Sequence, residues 1–327
     1  MTKDIKRIAV YTSGGDAPGM NAAVRAVVRT AAYHGLHVFG IYGGYTGMIQ
    51  GKIKRLERRD VGNIIHRGGT ILKTSRSKEF MTPEGRQLAY EALAANEIDA
   101  CIAIGGNGTF TGAKVFTEEF DIPIIGVPGT IDNDLYGSDY TIGFDTAVNT
   151  AIEAVDRIRD TADSHNRVFF VEVMGRNSGM IALNTGIGSG SSSVLIPENG
   201  NSAERLIDIL RKATRRDKLF SLVIVAEGNP WGGASEVAEK VREVLPELDM
   251  KVTIIGHLQR GGSPTAFDRV LASRLGYDAV EGLLAGKSMV MAGIINNKTV
   301  YTPFADAITK SKIPDKTLLK MAEILAI

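Results

Sequence analysis

Short apolar runs, most of them closed by glycine, alternate along the chain with longer stretches of helical period. Residues 7–11, 36–42, 100–104, 122–127, 168–173, 222–225 and 252–255 are near-continuous in Val, Ile and Ala rather than alternating. Strands buried on both faces have that pattern. Between them lie helical periods. Residues 21–33 predict a helix, with Asn21 as a possible N-cap and Gly35 just past its end. Residues 146–163 predict another, carrying Ala147, Ala151, Ile152, Val155 and Ile158 on one side. Alternating β and α elements imply an α/β fold, a mostly parallel sheet covered by helices. No low-complexity or Pro-rich linker divides the chain, so two domains would be interleaved rather than strung in a row.

Composition narrows the class. The 327 residues exceed one small core and fit two domains or one large α/β unit. Lys+Arg and Asp+Glu, at 38 and 37, nearly cancel to a net +1, which argues against a nucleic-acid binder working by massed phosphate neutralisation. Cys101 stands alone within an apolar run, which excludes an intrachain disulfide and a cysteine metal cluster and reads as a buried structural thiol. The amino terminus lacks a signal-type apolar core, and no apolar run is long enough for a membrane span, so a reducing cytoplasm is expected.

The 37 glycines gather where strands end, the edge at which open α/β sheets bind ligands. The first corner, Thr12-Ser13-Gly14-Gly15-Asp16-Ala17-Pro18-Gly19-Met20-Asn21, joins the first strand to the first helix. Its glycines let backbone N–H groups approach a phosphate at a helix terminus. It carries neither the Lys-Ser/Thr pair of a P-loop nor dinucleotide spacing; alone it is equally a tight structural turn. The second corner is Gly105-Gly106-Asn107-Gly108-Thr109, and the third is Pro128-Gly129-Thr130-Ile131-Asp132-Asn133-Asp134. Asp132 and Asp134 would repel unless a cation or separate partners intervene. That loop reads either as an Asx-rich turn, or as one carboxylate accepting a proton while the other holds Mg²⁺ through bound water. Three phosphate-type corners on one sheet edge favour the second.

Taken in order, these corners resemble those of the bacterial phosphofructokinase family. Val173-Met174-Gly175-Arg176 and Gly256-His257-Leu258-Gln259-Arg260-Gly261-Gly262-Ser263-Pro264 extend the likeness from about residue 5 to the carboxyl end. The resemblance implies two interleaved Rossmann-like domains. Residues 1–142 plus 258–308 would form a larger nucleotide-binding domain, and 143–257 plus 309–327 a smaller sugar-phosphate domain. The implied activity is transfer of the γ-phosphoryl of MgATP to fructose 6-phosphate, with ATP and Mg²⁺ required. In that reading Asp132 is the general base, and Thr130 holds the transferring group. Gly15 offers its N–H to the γ-phosphate, while Arg76 and Arg176 offset phosphoryl charge. Gly106, Gly108 and Thr109 line the nucleotide phosphates, and Asn107 and Asp134 serve the metal. Arg167, Lys251, His257 and Arg260 meet the 6-phosphate, with Met174, Gly175 and Glu227 along the sugar. Arg167 and Lys251 would come from a neighbouring subunit of a homotetramer. Arg25 and Arg29, an i,i+4 pair, would join Arg58, Arg159 and Lys218 in an effector site.

The sequence departs from the family pattern at several points. Asn107 stands where an aspartate is usual, which should weaken Mg²⁺ binding. Lys251 replaces an arginine, keeping charge but losing the fork. Ser192 replaces an effector-site glutamate, and Phe220 a basic or histidine-like residue. Pyrophosphate-dependent members carry an acid at the position of Gly108 and a lysine at that of Gly129; the two glycines are expected to leave room for the α-phosphate of ATP. A pyrophosphate-dependent enzyme and a weakened regulatory paralog are the alternatives.

Overall fold

The computed structural model describes residues 5–162, 167–198, 203–215 and 220–326. Its strands, among the described residues, are β1 (Arg7–Thr12), β2 (His37–Ile41), β3 (Ile53–Leu56), β4 (Ala100–Gly105), β5 (Ile124–Pro128), β6 (Val168–Val173), β7 (Ser193–Leu195), β8 (Ser221–Ala226), β9 (Met250–Ile254), β10 (Val290–Ile295) and β11 (Lys298–Pro303). Contact density separates two compact units. One comprises Met1–Ile131, Leu135–Asp145 and Arg260–Lys312; the other comprises Asp132–Asp134, Thr146–Gln259 and Ile313–Ile327.

The first unit is built on a seven-stranded sheet ordered β11-β10-β5-β4-β1-β2-β3. The pairs joining β10, β5, β4, β1 and β2 are parallel, and the outermost pairs, β10–β11 and β2–β3, are antiparallel. Every residue of β4 and β5 is buried, which is why these runs show no alternation. One aromatic-rich core packs Tyr11, Tyr45, Cys101, Phe110, Phe116 and Phe304. From β1 the chain moves to β2 on one side, then returns to β4 on the other. The topological switch point therefore lies between β1 and β4, the place where a doubly wound sheet opens a crevice.

The second unit repeats the device in a four-stranded parallel sheet, β7-β8-β6-β9. Here β6 is followed by β7 and β8 on one side and by β9 on the other, so the switch point lies between β6 and β9. Its core includes Phe170, Leu206, Leu210, Val223, Val225 and Val237. No described helix is long and apolar enough to cross a membrane.

The helix expected at 21–33 runs Met20–Tyr33, and its N-cap is Gly19 rather than Asn21. Gly19 has φ 105°, which glycine adopts without strain, and a Cβ there would meet Ile142 Cγ2 at 2.7 Å. Asn21 is turned inward instead. Its amide donates to the Arg67 and Gly68 carbonyls at 3.0 and 3.2 Å and accepts from Ile71 N at 2.7 Å. The helix expected at 146–163 starts two residues earlier, as Phe144–Ala162.

Candidate active site

The three glycine-rich corners all leave the carboxyl ends of β1, β4 and β5 in the first unit, and they are tied to one another. Ser13 N donates to the Ile104 carbonyl at 3.0 Å, and Gly129 N to the Gly105 carbonyl at 3.0 Å. Thr109 braces two corners: its hydroxyl donates to the Ser13 carbonyl at 3.1 Å, while its own carbonyl accepts the Tyr45 hydroxyl at 2.6 Å. Gly105 admits no side chain, since a Cβ there would collide with Thr109 Oγ1 and the Ser13 carbonyl. A Cβ on Gly106 would face Thr130 at 3.6 Å. The second and third corners thus come together at Gly106 and Thr130, and the Thr130 carbonyl is fixed by the Thr141 hydroxyl at 2.6 Å.

Anion chemistry follows from this backbone. The helix Asn107–Phe120 begins at N-cap Gly106 with no side-chain cap, so its first-turn N–H groups and dipole are directed at the corner. Gly14, with φ 86°, turns the first corner, and the Thr74 hydroxyl holds its carbonyl at 2.8 Å. Arg260 lies against the same corner, donating to the Asp16 carbonyl at 3.0 Å, with a guanidinium nitrogen 2.6 Å from where a Gly15 Cβ would stand. Arg76 is exposed. A side chain at Gly108 would enter open space, as expected. Gly129 differs from expectation. Its Cβ direction meets Ile104 Cγ2 and Met20 Cε at 3.0 Å, so it leaves no room of its own, and a lysine there would force repacking.

The loop that carries Thr130 continues into Asp132, which groups with the second unit. Asp132 is buried, at 4% exposure. Arg176 Nε is 3.8 Å from Asp132 Oδ2, an ion pair on a largely exposed guanidinium. Asp134 is half-buried. Arg176 follows the end of β6 with φ 51°, after Gly175 at φ 146°. Such a turn needs an anchor. Glu227, one residue beyond β8, supplies it: a carboxylate oxygen accepts from Gly175 N at 3.1 Å and Arg176 N at 2.7 Å. Gln259, fully buried, locks the other side, accepting from Met174 N at 2.8 Å and donating to the Ala147 carbonyl at 3.4 Å. Sequence reasoning quoted Gln259 within its motif without giving it a role. His257 is exposed on the turn after β9. Met174–Arg176 and His257 therefore occupy the strand ends at the second switch point.

Arg167 and Lys251 lie elsewhere, at the amino-terminal ends of β6 and β9. Asp249 holds both, through Arg167 Nε at 2.5 Å and Lys251 Nζ at 2.8 Å. Of the expected effector cations, Arg25 and Arg29 share one helix face in the first unit. Burial, then the neighbouring Arg29 charge, lowers the Arg25 pKa from its ordinary value. Arg58 is exposed after β3. In the second unit Arg159 donates to the Ser189 carbonyl and covers the Phe220 ring at 5.4 Å from its centroid. Ser192 is buried. Lys218 lies outside the described residues.

Two sheets, each with a switch point at the carboxyl ends of its strands, define an α/β protein of the doubly wound class, in which ligands sit at strand ends. Residues 7–283 match the family model described as phosphofructokinase, and the chain belongs to that family. An ATP-dependent 6-phosphofructokinase from Cytophaga hutchinsonii is 57% identical over 321 residues, covering 98% of each chain. ATP-dependent 6-phosphofructokinase 1 from Thermus thermophilus is 55% identical over 323 residues, covering 99% of this chain and 100% of its own. The solved phosphofructokinase of Saccharomyces cerevisiae is similar at TM-score 0.88 and 38% identity, over 98% of this chain. This chain spans 46% of that longer one.

Proposed function

We propose that the protein transfers the γ-phosphoryl group of MgATP to the 1-hydroxyl of fructose 6-phosphate, giving fructose 1,6-bisphosphate and ADP, a step of glycolysis. The observation that carries this reading is the junction of three glycine-rich strand ends at one switch point, with Thr130 facing Gly106. Backbone N–H groups there suit a polyphosphate, and no bulky side chain intrudes at Gly108.

In the reaction, Asp132 takes the proton of the 1-hydroxyl as its oxygen attacks the γ-phosphorus and the bond to the β-phosphate oxygen breaks. Phosphoryl transfer needs positioning and charge stabilisation more than covalent help. Gly15 N–H and Thr130 hold the transferring group, while Arg76 and Arg176 oppose the charge that spreads over its oxygens. Gly106, Asn107, Gly108 and Thr109 hold the remaining nucleotide phosphates through backbone groups, since the Thr109 hydroxyl is already engaged with Ser13. Arg176 cannot stay fully committed to Asp132; its exposed guanidinium is free to turn toward a phosphoryl group.

The donor set fits Mg²⁺. Among the described residues no three His, Cys, Asp or Glu side chains are gathered into a metal cage, and Mg²⁺ uses one or two protein oxygens with waters and substrate phosphates. Asp134 and the Asn107 amide oxygen would hold it or its waters. When bound, Mg²⁺ neutralises charge on the nucleotide phosphates.

Sugar phosphate belongs to the second unit's strand ends, with Met174, Gly175, Glu227 and His257, joined by Arg260. Arg167 and Lys251 add to it only from another copy. Arg167 precedes β6 and Met174 follows it, and six strand residues span about 20 Å, so no side chain bridges that distance within one sheet. The edge strand β9 supports association, exposing Ile254 and, just beyond it, Leu258 at 58% and 71%. A homotetramer with shared sites, in the cytoplasm, completes this reading. Arg25, Arg29, Arg58 and Arg159 are assigned to binding an effector anion.

The test is a coupled assay with fructose 6-phosphate and ATP, GTP or pyrophosphate as donor. ATP supports turnover and pyrophosphate does not; a higher kcat/KM with pyrophosphate overturns the donor assignment.

A further inference from the structure

We propose that Asp249 is a positioning residue for the sugar phosphate, a carboxylate that presets Arg167 and Lys251 as a two-cation fork. The inference rests on the reading above, in which those two cations meet the 6-phosphate.

The backbone places the three residues together. Val168 pairs with Met250 and Phe169 with Lys251 in the parallel ladder between β6 and β9. Val168 N also donates to the Asp249 carbonyl at 3.0 Å, which carries the pairing one residue back, to Arg167 beside Asp249. Asp249 and Lys251, two apart, project from the same face. Without a carboxylate between them, the guanidinium and ammonium would repel each other. Asp249 gives one oxygen to each cation, Oδ2 to Arg167 Nε and Oδ1 to Lys251 Nζ.

The choice of atoms on Arg167 matters. Asp249 takes Nε, and among the described residues the terminal guanidinium nitrogens make no other hydrogen bond. A guanidinium gripped by Nε presents its remaining donors outward, in the paired geometry that suits a phosphate. Lys251 lacks such a fork, so a fixed position matters more for it than for an arginine. Hydrogen bonds from Lys251 and then Arg167 hold the Asp249 carboxyl below the usual carboxylate range, so the brace stays charged through the working pH range.

Two effects of the carboxylate oppose each other. Its negative charge disfavours an incoming phosphate, while its hydrogen bonds remove the disorder of two long side chains in advance. Asp249 is about half exposed, 47% for its side chain, so its longer-range repulsion is screened by salt. Contact hydrogen bonds are screened less, and positioning prevails.

The experiment measures fructose 6-phosphate saturation at saturating ATP for the full-length enzyme, at about 0.05 M and about 0.3 M KCl. Asp249→Asn raises the half-saturating sugar phosphate about 3- to 10-fold, the scale of ordering one or two side chains. The value of kcat and the KM for ATP stay within about twofold of wild type, and the effect persists at the higher salt. Asp249→Glu, which keeps the charge and both acceptors, recovers most of the loss. An unchanged thermal midpoint shows that the fold is intact. A lower half-saturation, strongest at low salt, makes Asp249 a competing charge and overturns the proposal, as does a fall in kcat alone. Arg167→Ala separates the two levels. If it raises half-saturation and Asp249→Asn does not, only the proposal fails; if Arg167→Ala has no effect, the sugar-phosphate reading fails with it.

Discussion

Asp132 has its carboxylate almost entirely out of water, two residues past Thr130, with Arg176 as a neighbouring cation 3.8 Å away. In its proposed role as the base, Asp132 would work without bulk solvent competing for the proton. Asp132→Asn keeps the shape of the side chain and removes its capacity to accept a proton. It lowers kcat by about 10²- to 10⁴-fold and leaves half-saturation by fructose 6-phosphate little changed, measured by steady-state kinetics in the coupled assay. Near-normal kcat would place the base elsewhere. Asp132 drew attention in the sequence because Thr130, Asp132 and Asp134 stand at short spacing in one loop. The supports of Arg176 were not. Glu227 grips the Gly175–Arg176 turn across 51 and 52 residues of sequence, and Gln259 reaches Met174 across 85. Only the folded register of β6, β8 and β9 brings them together. Asp249 escaped notice for the same reason, as one acid in a polar surface stretch.

At the scale of elements, strands buried on both faces announced themselves. β4, β5 and β8 are fully buried and β1 and β6 nearly so, the apolar runs interrupted only at Arg7, Thr12, Glu172 and Ser221, because almost none of either face meets water. Near the edges the signal was uneven: β2 and the edge strand β9 were legible, while β3, β7, β10 and β11 were not. β3 is four residues with a charged centre, Lys54-Arg55, and β7 is three residues long. The β10–β11 hairpin had a signal that sequence reasoning passed over: Asn296-Asn297 joins them, with φ 50° and 60°, the left-handed pair of a two-residue turn. Between helices, an ion pair gives a measurable pH effect. Arg86 on helix Pro83–Ala95 binds Glu119 on helix Asn107–Phe120 through two hydrogen bonds, at 2.5 and 2.7 Å. The Arg86 hydrogen bonds hold the Glu119 carboxyl below its ordinary range. Its stabilisation is therefore complete above the unfolded-state value of about 4.3 and is lost as pH falls through the lower folded value. Glu119→Gln costs about 1–2 kcal/mol near pH 7, discounted for the solvent-facing side of Glu119. Urea unfolding of both proteins from about pH 7 to about pH 3 should show that difference closing in acid. A gap that stays constant would assign the loss to packing.

For the whole molecule, the decisive feature is that β6 and β9 carry polar equipment at both ends, the two ends separated by the full length of the strands. In the proposed reading, one end of a copy serves its own site and the other end a neighbour's. Asp132→Asn and Arg167→Ala subunits, assayed at fructose 6-phosphate far below the Arg167→Ala half-saturation, should then complement each other in mixed oligomers, since on that reading some sites combine an intact base with an intact phosphate ligand. Activity is compared before and after subunit exchange, with exchange verified separately by native mass. Mixtures no more active than the parents would confine each site to one chain.

Cys101 sits at zero exposure in β4, the strand between β1 and β5, and burial pushes its thiol up to about 12. Thiolate is the reactive form, so in the native protein this thiol offers electrophiles and oxidants almost no target. A modifying reagent reaches this sulfur only in a molecule whose central strands have parted. Covalent labelling at a single atom thus becomes a clock for opening of the first unit, running silently beside any assay of turnover. Each tag marks a chain that came undone at least once.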